Sequence, residues 1–178
     1  MSISLQQLQS MCTTEAGHER CISMIDPLNK YMVQFGITTP ARQAAFLAQC
    51  LHECAEFHYL YELASGQTYE GRRDLGNTQP GDGVRYKGRG LIQITGRANY
   101  AKVGTAMGQD FIGHPEQLEQ PAFAVESACW WWQQHRLNEL ADDGDFLHIT
   151  KVINGGVNGL ADRTMYWGRA KKALGVAA

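Results

Sequence analysis

The feature that most limits what this chain can fold into is a change of texture between Gly66 and Gly90. On either side, apolar residues recur at helical spacing. Within it, Gly66, Gly71, Gly76, Pro80, Gly81, Gly83, Gly88 and Gly90 forbid any long helix and leave loops with short extended pieces. The expected architecture is therefore mainly α, with a small glycine-rich β element inserted between helices.

The helical parts carry their own punctuation. Thr39-Pro40 supplies an N-cap followed by proline at the first helical position, opening a helix that runs to about Cys54. Ala44, Leu47, Leu51 and Cys54 form its core-facing stripe. Asp26-Pro27 offers the same device and predicts a helix starting there, closed by Gly36. Further helices are predicted over 97–107, 121–135, 146–153 and 160–174, with Gly108 and Gly175 as stop signals. Leu91 to Thr95 alternates apolar and polar residues, predicting a strand with Ile92 and Ile94 toward the core and Gln93 and Thr95 together on the other face. Without repeats or linkers, residues 1–178 are read as one domain.

Composition narrows the function. A net charge of −2, from 16 basic and 18 acidic residues, does not call for nucleic acid as a partner. Charge is uneven, with Glu139, Asp142, Asp143 and Asp145 clustered and Arg163, Arg169, Lys171 and Lys172 near the C-terminal end. Both are readable as solvated faces, and the basic end also as a contact for an anionic surface. No stretch approaches the roughly 20 apolar residues of a membrane span, and no signal-peptide pattern opens the chain, so the expectation is a protein made in a cytosol without stable membrane insertion. The odd set Cys12, Cys21, Cys50, Cys54 and Cys129 fits that, and Cys50 and Cys54 read as small buried hydrophobes.

The chemistry-bearing residues flank the glycine-rich segment. Glu53 lies in the last turn of its helix, where unpaired carbonyls and apolar neighbours such as Leu51 and Phe57 would favour a protonated carboxyl; an ion pair with a lysine or arginine is the plainer alternative. Glu62 follows nine residues later, with Glu70 and Asp74 as competitors for a second carboxylate and Glu56 too close to Glu53 to leave room for a sugar. A proton-donating and a water-activating carboxyl across a groove are what glycosidic hydrolysis requires. Gln93 and Thr95 offer an amide and a hydroxyl able to hold sugar hydroxyls or a water, and Asn99 could extend that wall. Asn154, before Gly155-Gly156, reads equally as a glycine-capped helix end or a ligand contact. Trp130-Trp131-Trp132 spans about 200° of helix circumference, so the three cannot share one cleft and no site is placed there. His52-Glu53 is not a zinc-protease motif, because the position of the second histidine is Glu56.

Taken together, Ala45-Phe46-Leu47-Ala48-Gln49-Cys50-Leu51-His52-Glu53, Tyr86-Lys87-Gly88-Arg89-Gly90-Leu91-Ile92-Gln93-Ile94-Thr95, Asn99-Tyr100, Ile153-Asn154-Gly155-Gly156 and Ala161-Asp162-Arg163 resemble glycoside hydrolase family 19, the chitinase-type enzymes that include phage endolysins. The likeness runs over about 39–174. It implies a lysozyme-like fold and an inverting mechanism with neither metal nor organic cofactor. It further implies Glu53 as general acid, Glu62 as general base (Glu70 staying open), and Tyr86, Gln93, Thr95, Asn99, Asn154 and Arg163 as substrate-site residues. Peptidoglycan is the expected substrate, with chitin oligosaccharide or a silent glycan-binding domain as alternatives. A monomer released by a separate holin to act on the wall in the periplasm completes that expectation. The chain departs from plant-type members at Val157-Asn158, where they carry a further glutamate, so the charge network around Arg163 should differ.

Overall fold

The computed structural model describes residues 2–176. Among them the α-helices are α1 (Leu5–Met11), α2 (Glu15–Gln34), α3 (Pro40–Glu53), α4 (Asp82–Arg85), α5 (Arg97–Met107), α6 (Pro121–Gln134), α7 (Leu137–Asp142), α8 (Phe146–Asn154) and α9 (Leu160–Leu174), with short 3-10 turns between some of them. No helix among the described residues is long and apolar enough to cross a membrane.

The core is organised around α3, in which every residue from Gln43 to Leu51 is buried. α9 packs along it, α2 lies on α6, and α1 fills the angle between α2 and α9. A second cluster, of Tyr86, Ile94, Tyr100, Val103, Phe111 and Leu118, sits behind the glycine-rich segment. Ile92 and Trp131 pack against both clusters and join them.

Four readings change. α2 starts at Glu15 rather than at Pro27, which lies inside the helix. Cys21, Met24, Leu28, Tyr31 and Met32 continue one buried face across the proline, and that burial outweighs its cost of about 3 kcal/mol. Leu91 to Thr95 is not a strand. Gln93 donates its backbone N–H to the Gly90 carbonyl at 3.3 Å, making 90–93 a turn that lets Arg89 and Ile94 pair across it. The β element is reduced to two isolated bridges, Tyr61 with Arg89 and Arg89 with Ile94. Three helices, α1, α4 and α7, went unpredicted, and α7 takes up part of the acidic cluster, with Asp142 paired to Arg42. Finally, the basic C-terminal end is largely engaged within the molecule: Arg163 and Arg169 bind interior groups, and Lys171 lies 4.3 Å from the centre of the Trp167 ring.

Candidate active site

Glu53 is the last residue of α3, and the way that helix stops fixes where it stands. Ala55 N–H donates to His52 O at 3.3 Å and Glu56 N–H to Leu51 O at 2.8 Å, a Schellman ending made without glycine. Ala55, Glu56 and Phe57 all take left-handed backbone (φ 48°, 55° and 64°). Such a conformation costs a non-glycine residue roughly 1–2 kcal/mol. The offset comes from Glu56, which is 3% exposed. Its carboxylate accepts from Thr13 N–H (2.5 Å) and hydroxyl (2.6 Å), Thr14 N–H (3.1 Å) and hydroxyl (2.5 Å), and the Tyr166 hydroxyl (2.9 Å). Burial alone would raise its pKa; these donors, led by the two threonine hydroxyls, bring it down to about 2. Glu56 is thus a structural anchor, as its closeness to Glu53 suggested.

The facing side of α9 supplies the partners. Arg163, 2% exposed, donates from Nη2 to Glu53 Oε1 at 2.5 Å, from Nη1 to Gln49 Oε1 at 2.5 Å and from Nε to Asn158 O at 3.2 Å. Of the two surroundings open to Glu53, the structure gives the ion pair. Where plant-type enzymes are expected to bring a glutamate, this chain satisfies the arginine with the Asn158 carbonyl. Gln49 Nε2 passes the chain of bonds to Thr150 Oγ1 on α8 at 2.9 Å. Next to Glu53, His52 Nδ1 meets Asp162 at 2.6 Å, and its ring lies so close to Gly159 that a Cβ there would stand 2.4 Å from it.

Glu62 is held differently. It lies beside the Tyr61–Arg89 bridge, with its N–H on Gly88 O at 2.8 Å. Its carboxylate accepts the Gly88 N–H and the Tyr69 hydroxyl, each at 3.1 Å. A Cβ on Gly88 would lie 2.6 Å from Gln93 Oε1. Glu62 and Gln93 therefore both lean on one glycine. Arg89 between them is structural, bound to Glu119 at 2.7 Å and to the Tyr100 hydroxyl at 3.0 Å. The competing carboxylates are occupied elsewhere. Glu70 accepts the Gly81 and Gly83 N–H groups at 2.6 and 2.8 Å, and Asp74 pairs with Arg72 at 2.5 Å.

A cleft of about 930 Å³ is lined by Gln93, Thr95 and Asn99 and by Trp130, Trp131 and His135, with Lys102 and Ile153 also on its walls. Gln93 has a positive φ of 56°, a strained setting for a non-glycine residue and one favoured at functional sites. Thr95 Oγ1 donates to Gln93 O at 2.9 Å and Asn99 Nδ2 to Thr95 O at 2.8 Å, so the three form one linked wall. Neither Glu53 nor Glu62 is among the residues that bound this cleft. Each is tied to it indirectly: Glu62 through Gly88 to Gln93, and Glu53 through Arg163, Gln49 and Thr150 to the turn of α8 carrying Ile153. Asn154, next to Ile153, has a sealed Nδ2 that lacks a hydrogen-bond partner among the described residues. Arg163 and Asn154 likewise do not bound this cleft, and neither does Tyr86. It is 1% exposed, packs on Tyr100 and donates to Ile112 O at 3.1 Å, so its side chain backs the loop instead of reaching into the cleft.

The model of the chitinase class I glycoside hydrolases, family 19, matches residues 35–143. A family 19 domain-containing protein of Haemophilus influenzae is 32% identical over 160 residues, covering 72% of this chain and 78% of that protein. The chain belongs to glycoside hydrolase family 19. Endochitinase EP3 of Arabidopsis thaliana is 29% identical, over 86% of this chain but 57% of its own length, so the chain spans little more than half of that plant relative. The crystal structure of chitinase C from Streptomyces griseus HUT6037 superposes with a TM-score of 0.74 at 24% identity, covering 98% of this chain and 93% of that one, and shares the fold. The mainly helical, lysozyme-like architecture read from the sequence is thus the family 19 architecture, and the polymer acted on is a separate matter.

Reading the sequence alone missed the aromatic wall. Trp132 is core, 2% exposed, edge-on to Phe46 at 5.4 Å and bonded to Asn138 at 3.0 Å. Trp130 and Trp131 both line the cleft. The available signal was the four-residue spacing of Trp131 and His135, which stack at 3.7 Å on one face of the α6 end.

Proposed function

We propose that this family 19 glycoside hydrolase cleaves β-1,4 bonds between the N-acetyl sugars of bacterial peptidoglycan, with inversion at the anomeric carbon. In this reading Glu53 gives its proton to the leaving glycosidic oxygen while Glu62 takes a proton from a water. That water's oxygen attacks the anomeric carbon from the opposite face. Arg163 fixes Oε1 of Glu53 and leaves the other oxygen to carry the proton. Gln93, Thr95, Asn99 and Asn154 hold sugar groups, and Thr95 helps hold the water. The observation that carries this assignment is the meeting of Glu62 and Gln93 at Gly88, which ties the proposed base to the cleft wall while Glu70 and Asp74 are tied up elsewhere.

The choice of peptidoglycan rests on charge. Among the residues bounding the cleft there is no carboxylate, and Lys102 is a cation without an ion pair among the described residues. Peptidoglycan carries carboxylates on its stem peptides, whereas chitin is neutral. Chitin is the second reading, favoured by the endochitinase names of the plant relatives. A monomeric lysin, made in a cytosol and released by a holin to reach the wall, fits the first reading. The test is release of reducing ends from purified sacculi and from chitin hexaose by wild type and Glu53→Gln. Activity on sacculi that the substitution abolishes supports the proposal. Turnover of chitin hexaose alone gives the second reading, and no turnover of either points to a glycan-binding domain. An anhydro-sugar product would overturn the hydrolytic mechanism.

A further inference from the structure

Two of the five cysteines meet within the core. Cys12 is the C-cap of α1, in extended backbone (φ −73°, ψ 155°), and Cys21 lies within α2. Their sulfurs are 3.6 Å apart, with the residues 1% and 0% exposed. The segment joining the two helices is gripped from both sides. Arg169 donates to Met11 O at 2.7 Å, to Ser10 O at 2.9 Å and to Cys12 O, while the Glu56 carboxylate takes the N–H groups of Thr13 and Thr14. The thiols are therefore kept in contact by groups outside the pair.

We propose that Cys12 and Cys21 are a disulfide-forming site, oxidised when the protein meets a low-molecular-weight disulfide. Closing from 3.6 Å to a bond of about 2.05 Å needs a shift that a helix-capping residue can make more readily than one inside a helix. The shared S–H···S hydrogen bond favours the thiolate of Cys21, whose pKa is lowered, and leaves the proton on Cys12, whose pKa is raised. Cys50, Cys54 and Cys129 differ from Cys21, because burial pushes their thiols up with no neighbouring thiol to offset it. In the first step Cys21 thiolate attacks one sulfur of the oxidant, forming a mixed disulfide and expelling one thiolate. Cys12 then loses its proton to that thiolate and attacks the Cys21 sulfur, expelling the second. Two protein thiols are oxidised and one small disulfide is reduced to two thiols. Access comes through opening of α1, only seven residues long. The site is independent of which polymer the enzyme cleaves.

The experiment incubates the intact native protein with excess oxidised glutathione, then alkylates it under denaturing conditions and maps it by mass spectrometry. The expected result is loss of two of the five thiols, a cross-linked peptide pair joining Cys12 to Cys21 that is lighter by two hydrogens, and full reversal by dithiothreitol. Cys12→Ser should form no internal cross-link. Survival of all five thiols, or a cross-link that maps to Cys50 and Cys54 instead, overturns the proposal; the wild-type measurement decides even if the variant does not fold.

Discussion

The two candidate carboxylates sit in contrasting surroundings. Glu53 ends a helix whose inner face is wholly buried, and its partner Arg163 is itself buried and bonded at three points. Glu62 belongs to a segment with glycines at every few positions, isolated bridges instead of strands, and 3.1 Å contacts to one backbone N–H and one tyrosine. A proton donor needs a fixed direction toward one oxygen. A base that must accommodate water between itself and the sugar tolerates a looser mount. The difference indicates that substitutions near Glu53 should act through geometry and stability together, and those near Glu62 mainly through the chemical step.

The largest effect should follow removal of the proposed proton donor. Glu53→Gln is expected to lower kcat at least about a hundredfold, with the fold kept because the amide oxygen can still accept from Arg163. Glu62→Gln should also slow turnover while leaving glycan binding measurable. Should Glu70→Gln do the damage while Glu62→Gln is tolerated in steady-state assays, the comparison above has the wrong second member.

Next is the anchor beneath Glu53. Glu56→Gln should cost about 3 kcal/mol at neutral pH, the value of moving a carboxyl pKa from 4.5 to about 2. Because the folded-state pKa is depressed, that contribution is complete above the unfolded value and fades as pH falls from about 4.5 toward 2. Urea midpoints of wild type and variant should accordingly converge in that window and differ most above it. A gap that stays constant down to pH 2 would mean the carboxylate charge is not what secures the left-handed turn.

How legible these regions were follows from the physics that holds them. α3, α5, α6, α8 and α9 were readable because caps, stop glycines and apolar spacing are local signals. The start of α2 was misread at Asp26-Pro27, since the groups that set it, Thr14 and the Glu56 carboxylate, lie far away in sequence or carry no strong pattern. Leu91 to Thr95 was misread because alternation in a tight turn looks like alternation in a strand; Gly90 and the left-handed Gln93 decide between them. Gln93, Thr95 and Asn99 were nevertheless placed on one wall, since a turn of that length also brings them together. Trp130, Trp131 and Lys102 were out of reach because their side of the cleft depends on how α5 and α6 meet.

A smaller effect should come from the junction between the looser carboxylate and the cleft. Gly88→Ala puts a methyl 2.6 Å from the Gln93 amide, so the amide must move. A drop in kcat of about tenfold is expected, short of the loss when a general acid or base is removed. An unchanged kcat would show that Gln93 does not need its observed position.

The smallest effect separates substrates rather than steps. Lys102 is exposed, lies on the cleft wall and has no carboxylate beside it there. If it meets the anionic stems of peptidoglycan, Lys102→Ala should lower kcat/KM on sacculi several-fold while leaving chitin hexaose unaffected, as expected for losing an exposed pair of about 1 kcal/mol. Lys102→Glu should widen that gap, and added salt should narrow it, because screening acts on exposed charges. Equal losses on both polymers would assign Lys102 to general cleft architecture. That outcome would remove the charge argument for peptidoglycan while leaving the proposed roles of Glu53 and Glu62 as they are, since neither depends on which polymer occupies the cleft lined by Trp130 and Trp131.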